Sequence, residues 1–296
     1  MATRELSSSP SMLPLFARAG AAMVPGASHL PFIGGGGIDV PDLRLRLTDV
    51  AIDPSRLTAY DRVCGFQLRD VVPVTFPHIL AFPLQLSLMT DPSFPFPAIG
   101  LVHIYNRITQ HRAIRSSDRL QIDVWTTPVE DHPRGKQFSL RTEIRAGDEL
   151  VWEEISTNLK RGPGSEAASA PGGELPHAED LPAAATWTLP GDLGRRYGSV
   201  SGDLNPIHMH PLSARLFGFP SAIAHGMWTK ARCLAALEPR LPEAFTVEVA
   251  FKRPILLPAK VEFCEADGPG EAFAVQFGVG DPREGRSHLD GLAFAG

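Results

Sequence analysis

The sequence predicts an α+β protein made of two repeats, each with one helix against a curved antiparallel sheet. Its 296 residues exceed the size of a typical single domain. One pattern occurs twice: Tyr60-x4-Gly65 matches Tyr197-x4-Gly202, since 197 − 60 and 202 − 65 both equal 137. Both halves also contain segments in which apolar residues alternate with others, as in half-buried antiparallel strands. A duplicated domain explains these observations.

A second similarity supports the duplication. Arg112-Ala113-Ile114 resembles Arg253-Pro254-Ile255 with an offset of 141 (253 − 112), each at the end of a strand-like segment. Residues 221–237 are rich in Ala, Leu and Met and predict a helix. The predicted strands are residues 102–108, 120–126, 138–144 and 150–159 in the first half and residues 246–251, 260–264 and 273–277 in the second.

These patterns divide the chain into four segments. Residues 1–40 form an appendage, with a short helix at about 15–24 and a flexible run of glycines at 34–37. Residues 41–160 form the first repeat and residues 186–296 the second. Residues 161–185 are rich in glycine, proline and small or acidic residues with little to bury, which predicts a linker.

The composition excludes several classes of protein. A net charge of −5 and a pI near 6.1 argue against a broadly basic surface, so we expect no nucleic-acid partner. Three cysteines without a CxxC pair suit a reducing compartment, which predicts a cytoplasmic protein. The N-terminus lacks the apolar core of a secretory signal, and no run of about 18 apolar residues predicts a membrane span.

One segment of the second repeat places an acid and a base close together. Asp203 and His208 stand five residues apart, and Gly202, Asn205 and Pro206 favour a compact bend around them. A carboxylate and an imidazole that converge can hold and deprotonate a water molecule. The segment therefore predicts proton-transfer chemistry, with a simple polar turn that caps a helix as the structural alternative.

Three histidines could also be drawn as a metal cluster. His208, His210 and His225 are close in sequence, but no Cys, Asp or Glu stands at the spacing of a recognisable zinc pattern. We therefore expect no metal. His225 is predicted to be a hydrogen-bonded core or supporting residue and His210 a surface residue.

Two motifs together resemble a known family. Tyr197 precedes Ser201-Gly202-Asp203-Leu204-Asn205-Pro206-Ile207-His208, and Ala224-His225-Gly226-Met227 follows downstream. The combination resembles the signature of the MaoC-like (R)-specific enoyl hydratases, also called hydratase 2. This resemblance implies a hot-dog fold, in which an antiparallel sheet wraps a long helix. With the duplication, the chain looks like the double hot-dog 3-hydroxyacyl-thioester dehydratases from about residue 42 to residue 295.

The resemblance implies a hydro-lyase that reversibly hydrates trans-2-enoyl thioesters, of coenzyme A or acyl carrier protein, to (R)-3-hydroxyacyl thioesters. It assigns the catalytic water to Asp203 and His208 and enolate stabilisation to the backbone N–H of Gly226 at a helix N-terminus. Asn205 and Pro206 would position the loop.

The same resemblance implies no cofactor, because coenzyme A or phosphopantetheine is part of the substrate. The expected setting is fatty acid and lipid metabolism. An acyl carrier protein is a candidate partner, and the chain is expected to be a monomer or a homodimer.

The first repeat departs from the catalytic pattern. Phe66 follows Gly65 where the acid should be, and no Asn-Pro-x-His follows before Pro73. The resemblance therefore implies that the first repeat is non-catalytic and helps to bind the acyl chain, with one active site per chain between the repeats.

Four cations are candidates for binding the phosphate groups of the thioester carrier. Lys252 and Arg253 end a predicted strand, and Lys230 and Arg232 lie on the predicted helix after Gly226. Ordinary solvated charges explain each of them equally well.

Two other functions fit the same sequence. A hot-dog acyl thioesterase would direct the water to the thioester carbonyl instead of C3. A non-catalytic acyl-thioester binding subunit would use the fold without the chemistry.

Overall fold

The structure, a computed structural model, describes residues 1–22, 39–268 and 272–295. The chain forms two compact units. Unit 1 consists of Met1–Ala51, Pro77–Ile104 and Asp118–Ala170, and unit 2 consists of Ile52–Phe76, Tyr105–Ser117 and Pro171–Gly296.

One order of elements occurs twice along the chain: a strand, then helices, then a run of strands. The helices are α1 (Met12–Ala21), α2 (Pro54–Cys64), α3 (Phe76–Met89), α4 (Leu193–Ser201), α5 (Pro206–Met209), α6 (Pro211–Arg215) and α7 (Gly226–Leu237). The strands are β1 (Ala2–Leu6), β2 (Leu43–Ala51), β3 (Val102–Gln110), β4 (Arg119–Thr126), β5 (Glu130–His132), β6 (Gly135–Ala146), β7 (Glu149–Arg161), β8 (Ala183–Leu189), β9 (Phe245–Phe251), β10 (Ala259–Asp267), β11 (Ala274–Asp281) and β12 (Arg286–Phe294).

Unit 1 contains a sheet with the strand order β1-β2-β4-β6-β7, and the short β5 pairs with β6. All these neighbours are antiparallel except β1, which runs parallel to β2. The helix of this unit is α3, from its second residue onward. Ile79, Leu84 and Leu88 on it are almost fully buried. A helix that is apolar on most sides must be covered by other elements, so α3 forms the core of the unit.

Unit 2 contains the antiparallel sheet β8-β10-β11-β12-β9, and β9 also pairs with β3 from Tyr105 onward. Helix α7 is buried in this unit along most of its length. The fully buried Lys230 Nζ donates to Asn106 Oδ1 at 2.6 Å and to the Val247 carbonyl at 3.2 Å. These bonds connect α7 to β3 and β9.

The predicted duplication is confirmed. The path β2-β4-β6-β7 in unit 1 corresponds to β8-β10-β11-β12 in unit 2. Each copy also has an isolated bridge, Val71↔Arg115 in the first and Ile223↔Leu256 in the second, and 256 − 115 equals the offset of 141 found in the sequence. The α+β double-repeat architecture was therefore predictable from the chain alone.

The second copy contains an insertion that the first copy lacks. Gly65 and Gly202 lie 137 residues apart, whereas the bridge residues Val71 and Ile223 lie 152 apart (223 − 71). The second copy therefore has 15 more residues (152 − 137) between its glycine and its bridge. This segment carries α5 and α6, so the first copy lacks the whole loop and not only its acid and base.

The predicted helix at 221–237 begins later than expected. Helix α7 starts at Gly226, because Ile223 pairs with Leu256 and the Ala224 N–H donates to the Ile255 carbonyl. All seven predicted strands are present. Strands β1, β2, β5, β8 and β12 were not predicted.

Part of the predicted linker is well packed. Ala178 lies in a short 3-10 turn (Ala178–Asp180) and is fully buried. Its N–H donates to Asp290 Oδ1 at 2.9 Å, and Ser287 bonds to Glu179, so the turn is fixed to β12. At the N-terminus, α1 begins three residues before the predicted helix, and the predicted glycine run at 34–37 lies outside the described residues. None of the described helices has the length and apolar character to cross a membrane.

Candidate active site

The site begins where α4 ends. Gly202 has φ +83° and its N–H donates to the Gly198 carbonyl at 2.9 Å, so it ends the helix in the left-handed conformation that glycine adopts without steric cost. The Asp203 N–H then donates to Ser201 Oγ at 3.1 Å. These two bonds direct the chain away from the helix at Asp203.

Asn205 and Pro206 build the next turn. The Asn205 N–H donates to Asp203 Oδ1 at 3.1 Å, and Asn205 Oδ1 accepts from the Ile207 N–H at 3.4 Å as the N-cap of α5. Pro206 is the first helical residue, where no N–H donor is needed. Both residues therefore occupy positions suited to aiming the base at position 208.

His208 lies on α5 and is buried. Its Nδ1 is 2.8 Å from the Ile223 carbonyl oxygen. A carbonyl can only accept, so Nδ1 carries the proton and Nε2 is left with a lone pair. Burial lowers the pKa of His208 below its ordinary value, against the opposing effects of Asp203 and the Ile223 carbonyl. His208 is therefore a neutral base at neutral pH.

His225 joins the pair as a third residue. Its ring stacks on His208 with the centroids 3.7 Å apart and an angle of 23° between the planes. Its Nε2 is 3.1 Å from the Asp203 carbonyl oxygen and 3.6 Å from Asp203 Oδ2. Burial, and then the neighbouring His208, lowers the pKa of His225 to about 3. His225 is thus a neutral donor that holds Asp203 in place.

The possible metal ligands at this site are Asp203, His208 and His225, whose ligand atoms all lie within 4.8 Å of one another. Imidazole lone pairs lie in the ring plane, and the two stacked ring planes are 23° from parallel with centroids 3.7 Å apart, so the lone pairs of the two rings are poorly placed to meet at one ion. One nitrogen of each ring is also bonded to a carbonyl oxygen. This geometry suits a water molecule better than a cation, and the absence of a metal stays a prediction.

Gly226 begins α7 directly after His225. The first N–H groups of a helix have no acceptor within the helix and carry its partial positive charge. A Cβ atom at this position would lie 2.9 Å from the ring of Phe251. Glycine here therefore allows close packing against β9, and it places the first backbone donor of α7 directly after His225.

The four cations that were candidates for binding phosphate groups lie next to other groups of the protein itself. Lys230 is fully buried and bonded to Asn106 and Val247, so the expectation that it could meet phosphate groups was wrong. Lys252 Nζ lies 3.4 Å from Asp290 Oδ2, and Arg253 Nη1 lies 3.4 Å from Glu284 Oε2. Both are therefore engaged with carboxylates. The Arg232 guanidinium lies over the Trp187 ring, 4.8 Å from its centroid.

The structure brings the predicted residues Asp203 and His208 together, and it confirms that His225 is a buried, hydrogen-bonded residue. The stacking of His225 on His208 was not predicted. His225 is 17 residues after His208, on a different element, so spacing alone could not place it. The available signal was its position directly before Gly226 in the second motif.

Comparisons with known proteins agree with this architecture. The MaoC like domain family matches residues 171–266. The 3-hydroxyacyl-thioester dehydratase X of Mycobacterium tuberculosis is 37% identical over 236 residues, 78% of this chain and 82% of that protein. The crystal structure of HtdX from Mycobacterium tuberculosis matches with a TM-score of 0.74 at 35% identity, over 84% of this chain and 98% of that one.

A more distant match concerns the fold alone. A Mycobacterium tuberculosis protein with a double hot-dog fold has a TM-score of 0.54 at 13% identity, over 83% of this chain and 93% of that one. The duplicated sheets and this fold match agree with the dehydratase relatives. The chain belongs to the MaoC-like dehydratase family, has a double hot-dog fold and is a hydro-lyase.

Proposed function

We propose that the protein reversibly adds water across the C2–C3 double bond of trans-2-enoyl thioesters to give (R)-3-hydroxyacyl thioesters. The convergence of Asp203, His208 and His225 within 4.8 Å, next to the first residue of α7, carries this proposal. The name of the dehydratase relative supports 3-hydroxyacyl thioesters as the substrate class. The R configuration is inferred from the family resemblance.

The hydration step uses the geometry of the site directly. Asp203 and His208 hold one water molecule, and His208 Nε2 accepts its proton as the oxygen attacks C3. The negative charge that develops on the thioester oxygen accepts a hydrogen bond from the Gly226 N–H, aided by the helix dipole. The proton held by the acid–base pair then moves to C2, and dehydration takes the same path in reverse.

His225 and Asn205 have positioning roles in this mechanism. His225 holds Asp203 through its Nε2–H, and Asn205 donates its N–H to the Asp203 carboxylate. The first repeat, without acid or base, is proposed to help bind the acyl chain. The proposal includes no cofactor. The identity of the carrier, a monomer or homodimer, and a cytoplasmic location stay predictions.

The test separates attack at C3 from attack at the carbonyl. Purified protein is given crotonyl and longer trans-2-enoyl thioesters, and the loss of conjugated absorbance is measured in parallel with the release of thiol. A dehydratase removes the conjugated absorbance without releasing thiol, and chiral analysis should give the R alcohol. Thiol release with the double bond intact would instead establish the thioesterase alternative.

A further inference from the structure

Arg56, on α2, binds the end of α4, the helix that leads to Asp203. Its Nε–H donates to the Val200 carbonyl at 2.8 Å, and its Nη2 donates to the Ser201 carbonyl at 3.2 Å. Although α2 belongs to the first repeat in sequence, it lies in unit 2 together with α4. A side chain from the repeat without the acid and base therefore holds the helix that leads into the candidate active site.

The packing of α2 against α4 explains how Arg56 reaches this helix end. Tyr60 and Tyr197 are both buried, and their ring centroids lie 6.0 Å apart. Arg56 stands four residues before Tyr60, and residues four apart lie on the same face of a helix. The contact between the two tyrosines therefore brings the guanidinium of Arg56 to the last turn of α4.

The carbonyls that Arg56 binds belong to the part of a helix that lacks internal partners. The last four carbonyls of an α-helix accept no hydrogen bond within it and carry the negative end of its dipole. Helix α4 ends at Ser201, so the Val200 and Ser201 carbonyls are among these four. A guanidinium has several donors in one plane and a permanent positive charge. Arg56 therefore satisfies two of these carbonyls and offsets their partial charge.

Ser201 connects Arg56 to Asp203. Ser201 is buried, and its Oγ accepts from the Asp203 N–H at 3.1 Å while its carbonyl accepts from Arg56. Asp203 Oδ1 in turn accepts from the Asn205 N–H at 3.1 Å, within the turn that leads to His208. Arg56 therefore binds the residue whose side chain directs the main chain at Asp203.

The equivalent helix end in the first copy has a different donor. The Val63 carbonyl corresponds to that of Val200 (200 − 63 = 137), and it accepts from the neutral Nε1–H of Trp228 at 2.9 Å. After the glycine, the Phe66 N–H donates to a main-chain carbonyl of α2, whereas the Asp203 N–H donates to a side chain. The charged donor is therefore found at the helix end that Asp203 follows.

We infer that Arg56 is a positioning residue for the proposed hydration. By fixing the last turn of α4 through Val200 and Ser201, it holds Asp203 in the direction that lets this carboxylate bind the water molecule. Arg56 acts through Ser201 and not on the reacting atoms. Its effect on hydration rests on the proposed function, whereas its effect on the turn after α4 does not.

The variant Arg56→Met tests this role, because methionine keeps much of the aliphatic stem and removes the donors and the charge. We expect kcat on a trans-2-enoyl thioester to fall about 10- to 100-fold with KM changed by less than about twofold, since the water and not the substrate is misplaced. Arg56→Lys keeps the charge and a donor group, so it should recover most of this loss.

The matched control is Arg62→Met, the same substitution at an exposed arginine of the same helix. It removes one positive charge from α2 without touching the end of α4. Its kcat and KM should equal those of the wild type.

Hydrogen exchange of main-chain amides provides a measurement that needs no turnover. Amides in the turn at residues 202–208 donate hydrogen bonds, so their exchange should be faster in Arg56→Met than in the wild type. Exchange at Gly65, in the first copy, should be the same in both proteins. Arg62→Met should match the wild type at both helix ends.

Four results would overturn the inference. Arg56→Met has the kcat of the wild type, or Arg62→Met loses as much activity as Arg56→Met, or Arg56→Lys is as impaired as Arg56→Met. The fourth is faster exchange throughout unit 2 in Arg56→Met, which would mean that Arg56 only stabilises the fold.

Failure of the proposed function gives a different result. If the wild type hydrates no enoyl thioester, the proposed function falls, and exchange at residues 202–208 still decides whether Arg56 fixes the turn. If the wild type hydrates the thioester and Arg56→Met is equally active, the function stands and the inference about Arg56 falls.

Discussion

The C-terminal ends of α2 and α4 have the same structure in the two copies, but the residues that follow them differ. Each helix carries a buried tyrosine, Tyr60 or Tyr197, and ends at a glycine with φ above +80°. The N–H of each glycine bonds to the carbonyl four residues earlier, at 2.7 Å for Gly65 and 2.9 Å for Gly202. The helix end is therefore the same in both copies, and the chain differs only beyond the glycine.

After its glycine, the second copy continues into the segment that carries Asp203, α5 and α6, whereas the first copy reaches its bridge residue Val71 six residues after Gly65. Phe66 is buried where Asp203 is partly exposed. The helix positions differ as well: Asp61 corresponds to Gly198 (198 − 61 = 137). The fold therefore provides the same helix end in both copies, and Asp203 and His208, the residues proposed to carry out the chemistry, follow it only in the second copy.

The largest expected effect is a loss of activity when Asp203 or His208, both in the second copy, is replaced. Asp203→Asn or His208→Asn should lower kcat on an enoyl thioester by about 10²- to 10⁴-fold, because each removes a group that holds or deprotonates the water. Asp61→Asn, which changes the single carboxylate of α2, is the matched control and should leave kcat unchanged. Full activity of Asp203→Asn in a reconstituted system that contains a catalytic partner would favour the binding-subunit alternative. Circular dichroism should show that each variant is folded.

A fall in pH should destabilise the folded protein through His225, which lies in the second copy. His225 has a pKa of about 3 in the folded state and 6.5 as its ordinary value, so the unfolded chain binds the proton first. The free energy of unfolding should fall by about 2 kcal/mol between pH 6.5 and 4.5 from this group. His225→Gln should show a smaller fall over the same range in urea denaturation. An equal fall in both proteins would contradict the assignment.

A rise in pH from about 4 to about 7 should act through Asp61, in the first copy, with the opposite sign. Burial, and then the nearby Glu238, raises the pKa of Asp61 to about 7, and Asp61 Oδ1 is buried without a partner among the described residues. The folded state therefore binds the proton more tightly, and stability falls as the pH rises through 7. Asp61→Asn should raise the free energy of unfolding relative to the wild type by about 2 kcal/mol more at pH 8 than at pH 5. A constant difference at both values would contradict the buried carboxyl.

The smallest effect concerns the shared helix end. Gly65→Ala and Gly202→Ala should each lower the free energy of unfolding by about 1 kcal/mol, because alanine is strained at positive φ. The Gly65 variant should lose somewhat more, since its Cβ would lie 2.2 Å from Arg232 Nη1.

Activity distinguishes the two glycines. Only Gly202→Ala should also lower kcat, because it redirects Asp203. Gly162→Ala, at a position with open space and no positive φ, should affect neither property. If both helix-end variants lowered kcat equally, the two helix ends would not differ in function as proposed.

Local patterns made much of this architecture predictable. The seven predicted strands could be located from apolar residues that recur along them, and the glycines at 65 and 202 fulfil the same conformational requirement in both copies. The Asp203 to His208 segment could be singled out because its acid, base and turn residues are contiguous.

Features that depend on distant parts of the chain could not be predicted. In the sequence Lys230 is indistinguishable from a surface cation, and its burial is made favourable by acceptors on two strands, including Asn106 Oδ1 and the Val247 carbonyl. The turn at Ala178 looks like a linker until Ser287 and Asp290 bond to it. Each of these outcomes depends on tertiary partners that a local pattern does not contain.

The bond from His208 to the Ile223 carbonyl has a consequence for evolution and engineering. The acceptor that fixes the tautomer of the base belongs to the main chain. Every residue type offers the same carbonyl, so the side chain at position 223 can change in size without altering the proton on the imidazole. The feature that must persist is the backbone pairing of Ile223 with Leu256. The main chain at position 223 therefore determines which imidazole nitrogen carries the proton, whereas the buried Ile223 side chain belongs to the core.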